Sequence, residues 1–351
     1  MTGQFETVVT DFITEPLDHE RGVLGEIASV AALDAFHEED LAGRIENAAA
    51  LMVYHRLSIT RLTIDRLENC KVIAVCGVGY DNVDHISARA SGIPVVNVPD
   101  YGTEEVADSA IGMLLSLTRG ISFHNSRLRE HQGEWNHRSA VPLMRLRGQV
   151  LGIVGLGRIG TALALRGKAL GMDVVFYDPY VSDGYDKSLG IRRVEHLDDL
   201  LKQAYVLSLH CPLTDETRMM IDGRAIATMQ RNSYLINTSR GEIVETSAIP
   251  DAIVSGRLAG AGIDVLKTEP PDEDDPLIAA WRDSRHPAYH RLLINPHAAF
   301  YSEQGVIDMR TKGAEACRRA LLGHPLRNIV NADAFANRSS TDLHQPTKSG
   351  M

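Results

Sequence analysis

Six residues, Gly155-Leu156-Gly157-Arg158-Ile159-Gly160, constrain the fold of this chain more than any others. They follow an apolar run, Val150–Val154, and open a stretch of helical composition, TALALRGKAL. A strand that turns sharply into a helix packed against it needs glycines at set positions. Gly155 permits the tight turn, Gly157 lets the backbone approach a pyrophosphate, and Gly160 lets helix and strand pack closely. The first N–H groups of that helix have no partner within it and attract phosphate charge. Arg158 and Ile159 lie in the same turn, and Arg158 either covers the diphosphate or is a solvated cation. The next apolar run, DVVFYD, ends at Asp178, 18 residues beyond Gly160. This matches the ~20-residue offset of the acid that accepts hydrogen bonds from an adenosine ribose. A carboxylate there repels a 2′-phosphate, and Pro179 and Tyr180 follow with no arginine to receive one. The expected cofactor is therefore NAD rather than NADP.

The rest of the chain alternates short apolar runs with helical stretches, the pattern of parallel sheets built from crossover units. Thr7–Asp11, Glu26–Ala31, Ala50–Tyr54, Val72–Cys76 and Pro94–Val96 read as strands, with helices over Glu39–Glu46, Thr60–Glu68 and Val83–Ser91. A long helix is expected from Thr103 through His131, capped by Thr103 and with Glu104 and Glu105 at its positive end. Val106, Ala110, Ile111, Leu114 and Leu115 give it one apolar face. A second alternation follows, with strands at Val150–Val154, Val174–Tyr177, Tyr205–Leu209, Ser233–Asn237, Ala261–Val265 and Leu292–Asn295, then a helix over Ser302–Leu322. The fold class is α/β. Two doubly wound parallel-sheet domains are expected, a Rossmann domain (103–299) inserted in a flavodoxin-like substrate domain (1–102 and 300–331). The polar residues 332–351 are expected to be a disordered tail.

The 351 residues suffice for two domains, and the net charge of −10 argues against nucleic acid or a membrane surface as partner. No run of ~18 apolar residues marks a membrane helix. The opening MTGQFETVV lacks the basic and apolar segments of a signal peptide. Cys70, Cys76, Cys211 and Cys317 form no CxxC pair, so reduced, buried thiols and a cytoplasmic chain are expected. No His/Cys cluster has metal-ligand spacing, so no metal is expected.

Three polar residues stand at or just beyond the ends of apolar runs: Arg240 in INTSRGEIV, Glu269 in VLKTEPP and His297 in INPHAAF. If the runs are neighbouring parallel strands, their ends open on one crevice beside the dinucleotide. Hydride transfer to a carbonyl leaves charge on oxygen, which a protonated imidazole can neutralise near pH 7. A carboxylate partner orients such a ring and favours its charged form. A guanidinium binds a substrate carboxylate and polarises the carbonyl. His297, Glu269 and Arg240 fit these three parts. Singly they also fit a structural histidine, a turn residue before Pro270 and a solvated loop cation.

The motifs CGVGYDNVD, VADSAIGMLL, LGIVGLGRIG, FYDPY, LHCPLT, INTSRGEIV, GIDVLKTEPP and NPHAA occur in this order over about Thr7 to Asn331. In them the chain resembles the D-isomer-specific 2-hydroxyacid dehydrogenases. HAAFYSEQ, FYDPYVSDG and ALMVYH make it most similar to the C-terminal-binding-protein corepressors within that family. The resemblance implies interconversion of a 2-oxo acid and a D-2-hydroxy acid. A homodimer through the NAD-binding domain, using the other face of the helix from Thr103, is also expected. The resemblance gives Arg240, Glu269 and His297 the roles argued above. It puts Asp264 near the nicotinamide amide and Thr217 and Thr238 at the cofactor. It also implies that the N–H groups of Gly77, Val78 and Gly79 receive the substrate carboxylate, and that His55 and Phe300 line the substrate cleft. Two departures stand out: Val75 replaces an arginine of the corepressors, and Phe300 a tryptophan. An apolar 2-oxo acid is the expected substrate. The segment DEDDPLIAAWRDSRHPAYH, longer than most relatives need, reads as a surface loop whose Trp281 could reach a neighbouring subunit or rim the cleft. The alternative function is an NADH-sensing, peptide-binding corepressor-like scaffold with little turnover.

Overall fold

The computed structural model describes residues 5–140 and 143–332. The expected disorder of residues 333–351 lies outside the described residues. The chain forms two compact units, one reaching up to Gly102 and resuming at Ser302, the other spanning Thr103–Tyr301. The second unit runs on to Tyr301, with the turn after His297 tied into it. Asp264 accepts the N–H groups of Ala298 and Ala299, and Tyr301 donates to the Ala298 carbonyl.

The first unit holds five parallel strands: β1 (Phe5–Val9), β2 (Ala28–Ala32), β3 (Ala50–Val53), β4 (Ile73–Val75) and β5 (Val95–Asn97). Their order, β2-β1-β3-β4-β5, is the flavodoxin-like one. β1 ends earlier than its apolar run suggests. Beyond it the Asp11 carboxylate turns inward to accept the N–H groups of Tyr54 and Arg56, satisfying backbone donors where β3 ends. The helix Glu303–Leu321, capped by the Ser302 hydroxyl, returns to this sheet. Gly313 sits against it, since a Cβ there would lie 2.4 Å from the Cys76 sulfur. Arg310 of this helix forms two hydrogen bonds of 2.7 Å with Glu20, which is wholly buried in the helix Asp18–Leu24. Expected helices here are shorter than read. Glu39–Glu46 holds only a 3-10 turn, Glu38–Leu41, and the others shrink to Arg61–Ile64 and His85–Ala90.

The second unit holds seven parallel strands: β6 (Val150–Val154), β7 (Asp173–Tyr177), β8 (Arg192–Arg193), β9 (Val206–Leu209), β10 (Ser233–Asn237), β11 (Leu258–Ile263) and β12 (Leu292–Ile294). The order β12-β11-β10-β9-β6-β7-β8 reverses direction between β6 and β9, as in a Rossmann sheet. All five residues of β10 are buried, as expected of a strand covered on both faces. The long helix expected from Thr103 is two helices, Thr103–Thr118 and Ile121–Arg129. Gly120 separates them with φ +63°, a left-handed conformation that ends a helix.

The segment before β12 is not a surface loop. Asp275 caps a helix, Pro276–Arg282, that buries Leu277 and Ile278 in the second unit's core, with Trp281 packed partly against it. Its i, i+1 and i+4 apolar spacing supplies a buried stripe, and the last residue of the acidic DEDD run is its cap. Cys76, Cys211 and Cys317 are buried and Cys70 is half-buried, all as free thiols. Burial pushes the Cys70 and Cys211 thiols up to about 12. No described helix is long and apolar enough to cross a membrane.

Candidate active site

Three turns at the C-terminal ends of adjacent strands build the polar centre. After β10, the Asn237 side chain folds the chain back: its oxygen accepts from the Ser239 N–H (3.0 Å) and hydroxyl (2.8 Å), and its amide donates to the Arg240 carbonyl (2.8 Å). Arg240 is thereby presented at the head of the turn, with one guanidinium N–H on the Ser239 carbonyl. Gly241 presses this turn onto the next one, since a Cβ there would fall 2.1 Å from the Leu266 carbonyl carbon.

After β11, Glu269 bridges. One carboxylate oxygen accepts the Leu266 N–H at 2.7 Å, and the other lies 2.8 Å from Nδ1 of His297. His297, after β12, has φ +53° and donates its backbone N–H to the Asp264 carbonyl at 2.7 Å. The Asp264 carboxylate receives Ala298 and Ala299, so this one buried residue holds the whole histidine turn. Burial raises the Asp264 carboxyl above its usual range, against the lowering effect of those N–H groups. The His297 and Glu269 side chains remain 25% and 34% exposed, open enough to meet a ligand. The Phe300 ring stands edge-on to the imidazole, centroids 6.2 Å apart.

The glycine turn sits at the end of β6. Gly155, at φ +88°, lies where a Cβ would strike Cys211 and His210 at 2.7 Å, and a Cβ on Gly160 would lie 2.1 Å from the Gly155 carbonyl oxygen. Around Gly157, by contrast, a Cβ would meet nothing within 4 Å. The turn is closed against protein on two sides and open above Gly157, where the helix Arg158–Ala169 begins and Ile159 lies in its first turn. Phosphate charge fits that opening. The Asp178 carboxylate stands beside it, one oxygen accepting the Leu156 N–H (2.8 Å) and the other the Tyr180 N–H (2.9 Å). Carboxylate oxygens have further acceptor capacity for a ribose diol.

Other residues singled out in the sequence are placed as follows. The Thr217 hydroxyl is committed to its own turn, donating to the Pro212 carbonyl. The Thr238 hydroxyl is buried with no hydrogen-bond partner among the described residues. In the first unit, the carbonyls of Gly77 and Val78 accept from the Val98 N–H and the Asn97 amide. No N–H group of Gly77, Val78 or Gly79 has a backbone partner among the described residues. His55 packs on Phe12, ring centroids 4.4 Å apart. Among the described residues no group of three or more His, Cys, Asp or Glu is placed to hold a metal ion.

Sequence reasoning missed His210, at the end of β9. Its Nε2 lies 2.8 Å from the Ser208 hydroxyl, its Nδ1 is buried without a partner among the described residues, and burial pushes it down to about 3. A neutral histidine thus backs the turn at Gly155. Its place after an apolar strand was the available signal.

A family model described as the D-isomer specific 2-hydroxyacid dehydrogenase, NAD binding domain, matches residues 111–299. The chain is 34% identical over 326 residues to D-3-phosphoglycerate dehydrogenase of Methanocaldococcus jannaschii, covering 92% of this chain and 60% of that one. It is 31% identical over 340 residues to C-terminal-binding protein 1 of Caenorhabditis elegans, covering 94% and 45%. The chain thus spans about half the length of these curated relatives. The crystal structure of D-lactate dehydrogenase from Aquifex aeolicus, complexed with NAD and lactic acid, matches with a TM-score of 0.80 at 26% identity, covering 90% of this chain and 96% of that one. The chain belongs to the D-isomer-specific 2-hydroxyacid dehydrogenase family. Its cofactor is NAD, and the Rossmann unit is the domain that binds it.

Proposed function

We propose that this protein is an NAD-dependent dehydrogenase of D-2-hydroxy acids, working as a 2-oxo acid reductase. The observation that carries the reading is the 2.8 Å contact between His297 Nδ1 and Glu269 Oε2, at strand ends beside the glycine turn. NADH, when held here, would supply hydride to C2 of the 2-oxo acid. His297 Nε2 would give its proton to the carbonyl oxygen as the π pair moves onto it. Glu269 fixes the ring by Nδ1, leaving Nε2 the nitrogen for this transfer. Arg240 binds the substrate carboxylate and polarises the carbonyl through its planar fork.

Asp178 takes the ribose hydroxyls and the turn from Gly155 through Arg158 and Ile159 to Gly160 takes the diphosphate, with Thr217, Thr238 and Asp264 as further cofactor-side residues. The family resemblance gives the N–H groups of Gly77, Val78 and Gly79 and the His55 side chain substrate-binding roles. Phe300 against the His297 ring, with Val75 in place of a cation, supports an apolar substrate side chain. Four free thiols support a reducing compartment such as the cytoplasm. The helix Ile121–Arg129, with no buried side chain, supports a homodimer through the NAD-binding domain.

NADH oxidation across a panel of 2-oxo acids tests the reading. Turnover of ~1–1000 per second with one of them is expected. The likeness to C-terminal-binding protein 1 favours a second reading, an NADH-sensing scaffold. Tight NADH binding with vanishing rates on every acid would select it.

A further inference from the structure

The Tyr180 hydroxyl donates a hydrogen bond to the Glu216 carboxylate, joining the segments that follow the two strands flanking the glycine-turn strand. Tyr180 follows β7 and Glu216 follows β9, the strands on either side of β6. Adjacent strands stand ~4.8 Å apart, so the two flanking strands are ~10 Å apart. A tyrosine and a glutamate extended toward each other span that gap. Tyr180 is 76% exposed, so core packing does not hold its ring there.

Both ends of the span are built. The Tyr180 N–H is held by Asp178, whose other oxygen holds the Leu156 N–H of the glycine turn. On the far side, the Thr217 hydroxyl takes the Pro212 carbonyl and accepts the Thr214 N–H at 2.8 Å, which fixes the turn that carries Glu216. Arg218 then pins the next residue to Glu242.

We propose that Tyr180 and Glu216 form a clasp over the adenosine half of the NAD groove. The clasp sets how fast the cofactor leaves, and Glu216 adds a second carboxylate that selects against a 2′-phosphate. The inference rests on the cofactor assignment and not on the identity of the substrate. Cofactor release requires the hydroxyl–carboxylate bond to open. Removing it should speed dissociation more than it changes association, the usual pattern for a local contact. The charge on Glu216 lies one tyrosine length from Asp178, so it acts on the same end of the cofactor.

The test measures NADH dissociation by stopped-flow chase, and NADH and NADPH affinity by fluorescence titration, in the wild type, Y180F, E216Q and the double variant. Y180F, which loses the bond, is expected to raise the NADH dissociation rate about three- to tenfold, the scale of one net hydrogen bond, and E216Q, whose amide oxygen is a weaker acceptor, by a smaller factor. The double variant is expected to match Y180F, because the bond is already lost in that single change. E216Q should lower the ratio of NADPH to NADH dissociation constants about three- to tenfold, while Y180F, which keeps the charge, leaves that ratio unchanged. Melting temperatures should not change, since both side chains are exposed. Unchanged dissociation rates in the singles, or additive effects in the double variant, would overturn the clasp. So would a matching loss of stability, which marks a merely structural pair. Wild-type protein that binds NADH but reduces no 2-oxo acid overturns the proposed reaction and leaves the clasp standing. Wild-type protein that binds no NADH overturns the cofactor assignment and the clasp together.

Discussion

His297 Nδ1 and Glu269 Oε2 meet at 2.8 Å from turns that are each anchored by backbone hydrogen bonds, His297 through the Asp264 carbonyl and Glu269 through the Leu266 N–H. The two turns do not depend on this side-chain contact for their positions. Changing either side chain should therefore remove chemistry and leave the turns in place.

For His297→Ala, turnover with the best 2-oxo acid is expected to fall about 10²–10⁴-fold, the usual worth of a positioned acid–base group. NADH affinity should stay within about twofold of wild type on the same argument. Steady-state kinetics with a parallel NADH titration checks both, and undiminished turnover would sink the assignment.

Gly241→Ala tests how the Arg240 and Glu269 turns are joined. The added methyl has no room against Leu266, so the turns must separate. Overpacking of this kind costs about 1–3 kcal/mol. The expected signature is a raised KM with a lowered kcat, because Arg240 moves away from its place. An enzyme with wild-type kinetics would show that the two turns act independently.

Arg310→Met leaves the Glu20 carboxylate buried without its partner. Such a broken pair costs about 3–5 kcal/mol, whereas replacing both members by apolar groups is often close to neutral. Urea unfolding should therefore show a large loss for R310M and recovery in the E20L/R310M double variant. A small effect of R310M would mean that Glu20 finds water or another donor.

His210 predicts an acid limb in stability. Its folded value of about 3 lies below the ordinary 6.5, so the unfolded chain binds the extra proton. The stability it contributes is fully present above pH 6.5 and is lost as pH falls from there toward 3, at up to ~1.4 kcal/mol per pH unit. Denaturation midpoints from pH 7 to pH 4 should fall less steeply for His210→Gln than for wild type. Parallel curves would show that this histidine takes up its proton in the folded protein.

The strand–turn–helix around Gly155 was legible because each glycine meets a separate steric need, and each need appears in the contacts at Gly155 and Gly160. β6 and β10 have the boundaries read from their apolar runs, since strands buried on both faces leave an unbroken hydrophobic signature. β8 was invisible. It is two arginines, Arg192 and Arg193, on a sheet edge where one side needs no apolar cover. The sequence from Thr103 reads as one continuous helix, and only the left-handed backbone at Gly120 reveals the break.

The sequence by itself determined that this is a dinucleotide-binding α/β protein with a cation, a carboxylate and an imidazole beyond successive strands. Local sterics and apolar periodicity carry that information within a few residues. Only the tertiary structure decided which groups meet. Asp264 and His297 are joined through backbone atoms that no side-chain pattern records, and Tyr180 reaches Glu216 because β6 lies between their strands. Such contacts depend on strand order, and strand order is set by how the whole sheet packs.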